Sequence, residues 1–93
     1  MCVLLWAHDG QEDLFAEYED AALKIAVAHG GQVVSRLRRI DSPESPFEVQ
    51  ILRFPSQVTF QTFMDDPLRL AMSEQRDRAV AKTEVIRVDE ISR

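Results

Sequence analysis

The sequence predicts an α+β domain with the element order strand, helix, strand, strand, helix, strand. Three observations predict it. Runs of strand length, apolar or alternating, fall at residues 2–8, 32–40, 47–54 and 83–91. Between them, apolar residues recur at spacings of three and four over 11–29 and again past residue 66. Turn or cap residues mark each change of period. The 93 residues make a single domain, 1–93, because a second core does not fit in this length.

The opening run Cys2–His8 is apolar throughout and is closed by Asp9-Gly10, which favours a strand buried on both faces. Leu14, Tyr18, Ala21, Ala22, Ile25 and His29 then form one helical stripe, with Glu12, Asp13, Glu17, Glu19, Asp20 and Lys24 mostly off it. The early acids suit the positive end of the helix dipole, and Gly30-Gly31 ends the helix. Residues 32–40 read as the second strand. The loop 41–46 carries Pro43 and Pro46 and is neither helix nor central strand. Residues 47–54 alternate, with Phe47, Val49 and Ile51 on one side and Glu48 and Gln50 on the other. Ser56 is an N-cap for a short amphipathic stretch holding Phe60, Phe63 and Met64. Asp65-Asp66-Pro67 starts a second helix whose stripe is Leu68, Ala71, Met72, Gln75, Ala79 and Val80. Thr83–Ile91 alternates as the last strand.

Composition narrows the function. At 45% hydrophobic and 29% charged the chain is neither disordered nor membrane-spanning. The apolar opening lacks preceding positive charge and is too short for a signal peptide. The single cysteine excludes an internal disulfide, so the expected location is cytoplasmic. A net charge of −5 argues against nucleic acid and against an anionic membrane surface as partners. Two histidines and one cysteine without ligand spacing predict no metal. Gly30-Gly31 follows a helix instead of opening one, so no phosphate loop or nucleotide cofactor is expected.

Right-handed crossovers in both βαβ units place the two helices on one face of a four-stranded antiparallel sheet, the ferredoxin-like arrangement. The other face then carries either Leu4 and Trp6 or Val3, Leu5 and Ala7. Both sets are apolar, so the helix-free face is greasy whichever parity holds. A second sheet packed face to face covers such a patch, which predicts a homodimer.

His29-Gly30-Gly31 leads into the second strand, Phe54-Pro55-Ser56 ends the third, Asp66-Pro67 opens the last helix, and Arg76 and Ala79 follow within it. On these residues the chain resembles the dimeric α/β-barrel superfamily, and within it a family of small bacterial proteins of unknown function. The likeness spans roughly residues 2–91. That family often carries an acidic residue just before the Phe-Pro-Ser segment, where Arg53 stands here. The resemblance implies a dimer whose sheets pack together and enclose a cavity in each half. The superfamily includes cofactor-free monooxygenases of polyketide pathways, lactone isomerases, haem-degrading enzymes and ligand-sensing modules. Two functions therefore stay open: a cofactor-independent isomerase, cyclase or monooxygenase acting on a small organic molecule, or a non-catalytic dimeric module that binds a small molecule or scaffolds another protein.

The candidate site residues follow from chemistry. His8 at the end of the first strand is a general-base candidate, and its structural reading is a polar residue closing a strand. Trp6 lies two residues before it and is expected on the same face, as an aromatic wall or as interface packing. Arg36 and Arg38 share a face of the second strand. They are candidates to hold an anionic oxygen, unless acids pair with them, and Glu48 is placed to neutralise one. Gln50 is a candidate to orient a ligand from the third strand, its plain reading being a residue on the wetter side of the sheet. His29 sits in the last turn of the first helix, where the dipole favours its charged form.

Overall fold

The structure is a computed structural model that describes residues 1–89 and 91. The elements are β1 (Cys2–Ala7), α1 (Glu12–Ala28), β2 (Gln32–Arg38), β3 (Glu48–Arg53), α2 (Gln57–Met64), α3 (Pro67–Leu70), α4 (Ser73–Ala79) and β4 (Val80–Ile86). The strands form one sheet in the order β2-β3-β1-β4, antiparallel at every pairing. This α+β architecture is compatible with the ferredoxin-like arrangement. The thin axis of the molecule measures 16 Å, room for one sheet and one layer of helices. No helix among the described residues is long and apolar enough to cross a membrane.

The register decides which side chains meet the helices. Val3 lies opposite Gln50 and Val85, and Leu5 opposite Glu48 and Thr83. Val3, Leu5 and Leu52 pack with Phe15, Tyr18, Ala22 and Leu23 of α1, Ala79 of α4, and Val80. Phe15 is fully buried and meets the Phe47 ring edge-on at 5.1 Å. The opposite face carries Cys2, Leu4, Trp6, Leu37, Val49, Ile51 and Ile86, with Lys82 and Glu84 along its β4 margin. None of the core helix residues packs on that side.

Three elements depart from the sequence expectation. The buried stripe of α1 is Phe15, Tyr18, Glu19, Ala22, Leu23 and Ala26, turned from the expected one, and Leu14, Ala21 and Ile25 flank it half-buried. A charged residue inside the stripe, Glu19, is what an apolar count cannot register. The second helix is not continuous. Asp66 caps α3 by accepting the Leu68 N–H, a turn at Ala71-Met72 interrupts, and α4 follows, so that Leu68 is left largely exposed. β4 begins at Val80, which pairs with Ala7, and ends at Ile86. The expected strand at 83–91 therefore starts late and runs too far; Glu90, within it, lies outside the described residues. β2 carries one extra residue, Val34, because Val33 pairs with Leu52 and Ser35 with Ile51, a β-bulge.

Phe15 has no exposed surface and touches both sheet and loop, so Phe15→Ala removes a large buried ring from a site that cannot fully collapse. The expected cost is about 3 kcal/mol, read as a lower urea midpoint with an unchanged denaturant slope.

Candidate functional site

Arg36, Arg38 and Gln50 come together on the helix-covered face, around Glu48. Arg36 Nε donates to Glu48 Oε2 at 2.8 Å and Arg38 Nη2 to Glu48 Oε1 at 2.8 Å. Gln50 Nε2 donates to Glu48 Oε2 at 2.7 Å and to Glu19 Oε1 of α1 at 2.9 Å. Arg36 Nη1 reaches Asp20 Oδ1, also of α1, at 2.6 Å. The polar side of β3, expected on the wetter face, is thus the buried one: Glu48 is 1% and Gln50 2% exposed. Val49 and Ile51 are half-buried on the open face. Glu48 accepts from both arginines, where the sequence offered it to one.

The environment sets the charges of the cluster. Burial pushes the Glu48 carboxyl up, but hydrogen bonds from Arg36, Gln50 and Arg38 outweigh it and hold the group below its ordinary value. Glu19 goes the other way. Burial raises it, the neighbouring Glu48 carboxylate raises it further, and the Gln50 hydrogen bond offsets only part. Burial also raises Tyr18, with Glu19 adding to it. Burial works against the Arg36 charge, yet hydrogen bonds to Glu48 and Asp20 raise its affinity for the proton. When Glu19 is neutral, Glu48 and Asp20 balance Arg36 and Arg38. No buried side-chain nitrogen or oxygen among the described residues lacks a partner. The dent beside this cluster, between Asp20, Arg36, Arg38 and Glu48, measures about 270 Å³, at the lower margin of the ~300–1,000 Å³ usual for ligand sites.

Trp6 and His8 are not part of this group. Trp6 lies on the opposite face of the sheet, where Nε1 donates to the Glu44 carbonyl at 3.1 Å and Lys82 Nζ sits 4.7 Å from the ring centroid. His8 lies past the end of β1 and is exposed. The irregularity opposite Trp6 and Ala7 lies in β4, where Ala81 is the extra residue, so β1 keeps its alternation to its end at Ala7 and His8 stands one position beyond it. An aromatic wall, a base and two anion-holding arginines in one hollow are therefore not assembled within the chain.

Residues that sequence reasoning treated as punctuation do converge. His29 Nε2 bonds Asp66 Oδ2 at 2.6 Å, and that bond, followed by the Leu68 N–H, holds the Asp66 carboxyl below its ordinary value. Gly30 has φ +85° and lies against Pro55, which a Cβ there would approach to 3.4 Å. At Gly31 a Cβ would stand 2.8 Å from both the Ala26 carbonyl oxygen and the Phe54 ring. The end of α1, the end of β3 and the α2–α3 junction are thus one locality. Beside it, at the end of the sheet away from His8, opens a larger cleft of about 540 Å³. The described residues contain no group of three or more His, Cys, Asp or Glu side chains that could hold a metal.

Glu19 was the residue missed, and Glu48 was seen as a partner for one arginine but not as the buried centre of the group. The signal for Glu48 was its place across the hairpin from two arginines; for Glu19 it was the alternative stripe through Phe15, Tyr18, Ala22 and Ala26.

The two carboxyls give stability opposite slopes with pH. Glu48 is depressed when folded, so its contribution is present above its unfolded value of 4.5 and is lost as pH falls below that. Glu19 is raised, so folding holds its proton, and stability falls as pH climbs from 4.5 toward the folded value. Glu19→Gln is expected to flatten the loss above pH 4.5 and to stabilise the chain at neutral pH. Glu48→Gln is expected to cost about 2 kcal/mol at neutral pH, moderated because both arginines keep solvent access. Urea unfolding from pH 3 to 8 (about one unit per step) checks both. The chain matches no known protein-family model, and no curated protein matches it in sequence.

Proposed function

We propose that this chain is one half of a homodimer that closes sheet to sheet, and that it serves as a binding module for a small organic molecule. The reading is supported by the bare sheet face. Leu4, Trp6, Leu37, Val49, Ile51 and Ile86 lie on it without helix cover. The chain exposes 6282 Å², whereas a monomer of its mass exposes roughly 5,500 Å². The bare sheet face is one contributor to that excess. Sheets stacked face to face would bury it. That is the arrangement of the dimeric α/β-barrel superfamily, to which we assign the chain, with the ferredoxin-like fold as its unit.

Binding is favoured over catalysis by the state of the arginines. Arg36 and Arg38 already donate to Glu48 and Asp20, so an arriving anionic oxygen must displace a carboxylate that is itself buried. One observation favours the second reading, a cofactor-independent enzyme of the isomerase, cyclase or monooxygenase type. Glu19 is a buried carboxyl of raised proton affinity, the direction of shift a general acid needs. That reading predicts turnover lost in Glu19→Gln with pairing intact.

Leu37 is more than half exposed on the bare face and makes no core contact, so Leu37→Asp spares the fold of the single chain while placing a carboxylate in each half of the interface. Light scattering at micromolar concentration is expected to give twice the chain mass for the native sequence and the chain mass for Leu37→Asp, with unchanged circular dichroism. Single chains in the native protein would overturn the pairing.

A further inference from the structure

We propose that the free edge of β4 is a second self-pairing surface, on which two copies of the chain join their sheets strand to strand about a two-fold axis at Thr83. This goes beyond the stacking of sheets. Stacking uses a face of the sheet and edge pairing uses its margin, so each can form without the other. Among the described residues β4 pairs only with β1, which leaves a row of backbone N–H and C=O groups along its outer margin with no strand beside it. Such a row is a template for another strand unless the sequence blunts it. The opposite margin, β2, is blunted. Val34 bulges out of its ladder, and self-pairing about Leu37 would set Arg36 of one copy against Arg38 of the other. β4 has no such device beyond Ala81. Its register runs unbroken from Lys82 to Ile86, it holds no proline, and its two charges cancel. Val85 and Ile86, of strong strand preference, stand exposed in it.

Charge sets the register. A two-fold axis normal to the sheet keeps every residue on its own face, so positions of the bare face oppose positions of the bare face. Lys82 and Glu84 both lie on that face, beside Trp6 and Leu4. An axis at Lys82 sets lysine on lysine, and an axis at Glu84 sets acid on acid. An axis at Thr83 sets Lys82 of each copy against Glu84 of the other, and opposite charges across a strand pair attract where like charges repel. Within one chain Lys82 Nζ stands 3.0 Å from Glu84 Oε1, with both side chains well exposed. Pairing therefore closes a ring of four alternating charges, next to the Trp6 ring on which Lys82 rests. Both copies carry their helices on the same side, and the bare face continues across the seam.

The test is light scattering on the Leu37→Asp chain, in which stacking is blocked, at low salt. One short strand per copy is a small contact beside the ~800 Å² per partner of a standard interface, so pairing is expected at millimolar and not at micromolar concentration. The mass is expected to rise from one chain toward two between those concentrations. Adding Lys82→Glu sets like charges opposite one another and is expected to hold the mass at one chain. Adding Glu84→Lys to that variant exchanges the two charges and is expected to restore the doubling, with circular dichroism unchanged throughout. Thr83→Cys in a Cys2→Ser, Leu37→Asp chain checks the register. Its Cβ would stand about 5 Å from its copy across the axis, and it is expected to oxidise to a covalent dimer at millimolar concentration. A mass that stays at one chain overturns the proposal. So does a Lys82→Glu chain that still doubles, a charge exchange that does not restore doubling, or a Thr83→Cys chain that forms no covalent dimer. Stacking is read separately, from the native chain at micromolar concentration.

Discussion

Taking a carboxylate out of water costs several kcal/mol unless its oxygens find donors. Glu48 finds three, from Arg36, Arg38 and Gln50, and in doing so it sets the parity of β3. A slip of one residue would turn Glu48 and Gln50 outward and carry Val49 and Ile51 inward. β3 lies between β2 and β1, so its parity is passed to both neighbours. Leu5 stands opposite Glu48 and Val3 opposite Gln50, which sends both toward the helices and leaves Leu4 and Trp6 on the far side. Buried ion pairs of this kind add little net stability, because their Coulomb attraction is largely offset by lost hydration. What this one contributes is register, and through register the placement of the apolar residues on the helix-free face.

Much of the fold was legible in the residues. Gly30-Gly31, Pro43, Pro46, Pro55 and Asp66-Pro67 carry local backbone preferences strong enough to locate the ends of most elements. The alternation of β3 was legible as well, but not its sense. Apolar residues at 49 and 51 invite an inward placement, and only the long-range contacts of Glu48 and Gln50 with α1 and β2 decide otherwise. α1 shows the same limit. Its stripe runs through Glu19, a residue whose burial depends on Gln50, 31 positions away. Past residue 66 the apolar spacing persists through the turn at Ala71-Met72, so spacing alone joins α3 and α4 into one helix. Of the candidate site, the shared face of Arg36 and Arg38 was visible, and so was Glu48 as a partner. The separation of Trp6 from them was not, since it follows from a parity set elsewhere.

The locality formed by His29, Gly30, Gly31, Phe54, Pro55 and Asp66 explains why its parts read as caps and breakers. Each ends or starts an element, and those ends are packed against one another. Asp66 works twice, accepting the Leu68 N–H as the cap of α3 and the His29 ring as a tie to the end of α1. Gly31 is required by crowding and not by its backbone angles, because carbonyl and ring leave no space for a side chain. Most of the residues on which the resemblance rests hold this corner together, with the larger cleft opening beside it, while Arg76 and Ala79 stand apart in α4.

The bulge at Val34 has a consequence for how β2 is used. In an unbroken strand the residue that packs inward with Val33 would be followed inward by Ser35 and Leu37, and the guanidiniums would point away from Glu48. The extra residue swaps the two sides in mid-strand, so that one strand offers a valine to the oily interior at its start and two cations to the polar interior at its end. Drawing Val34 into the regular ladder would exchange Arg36 and Arg38 for Ser35 and Leu37 inside the fold, whereas excising it would leave both guanidiniums facing the acid along an unbroken strand.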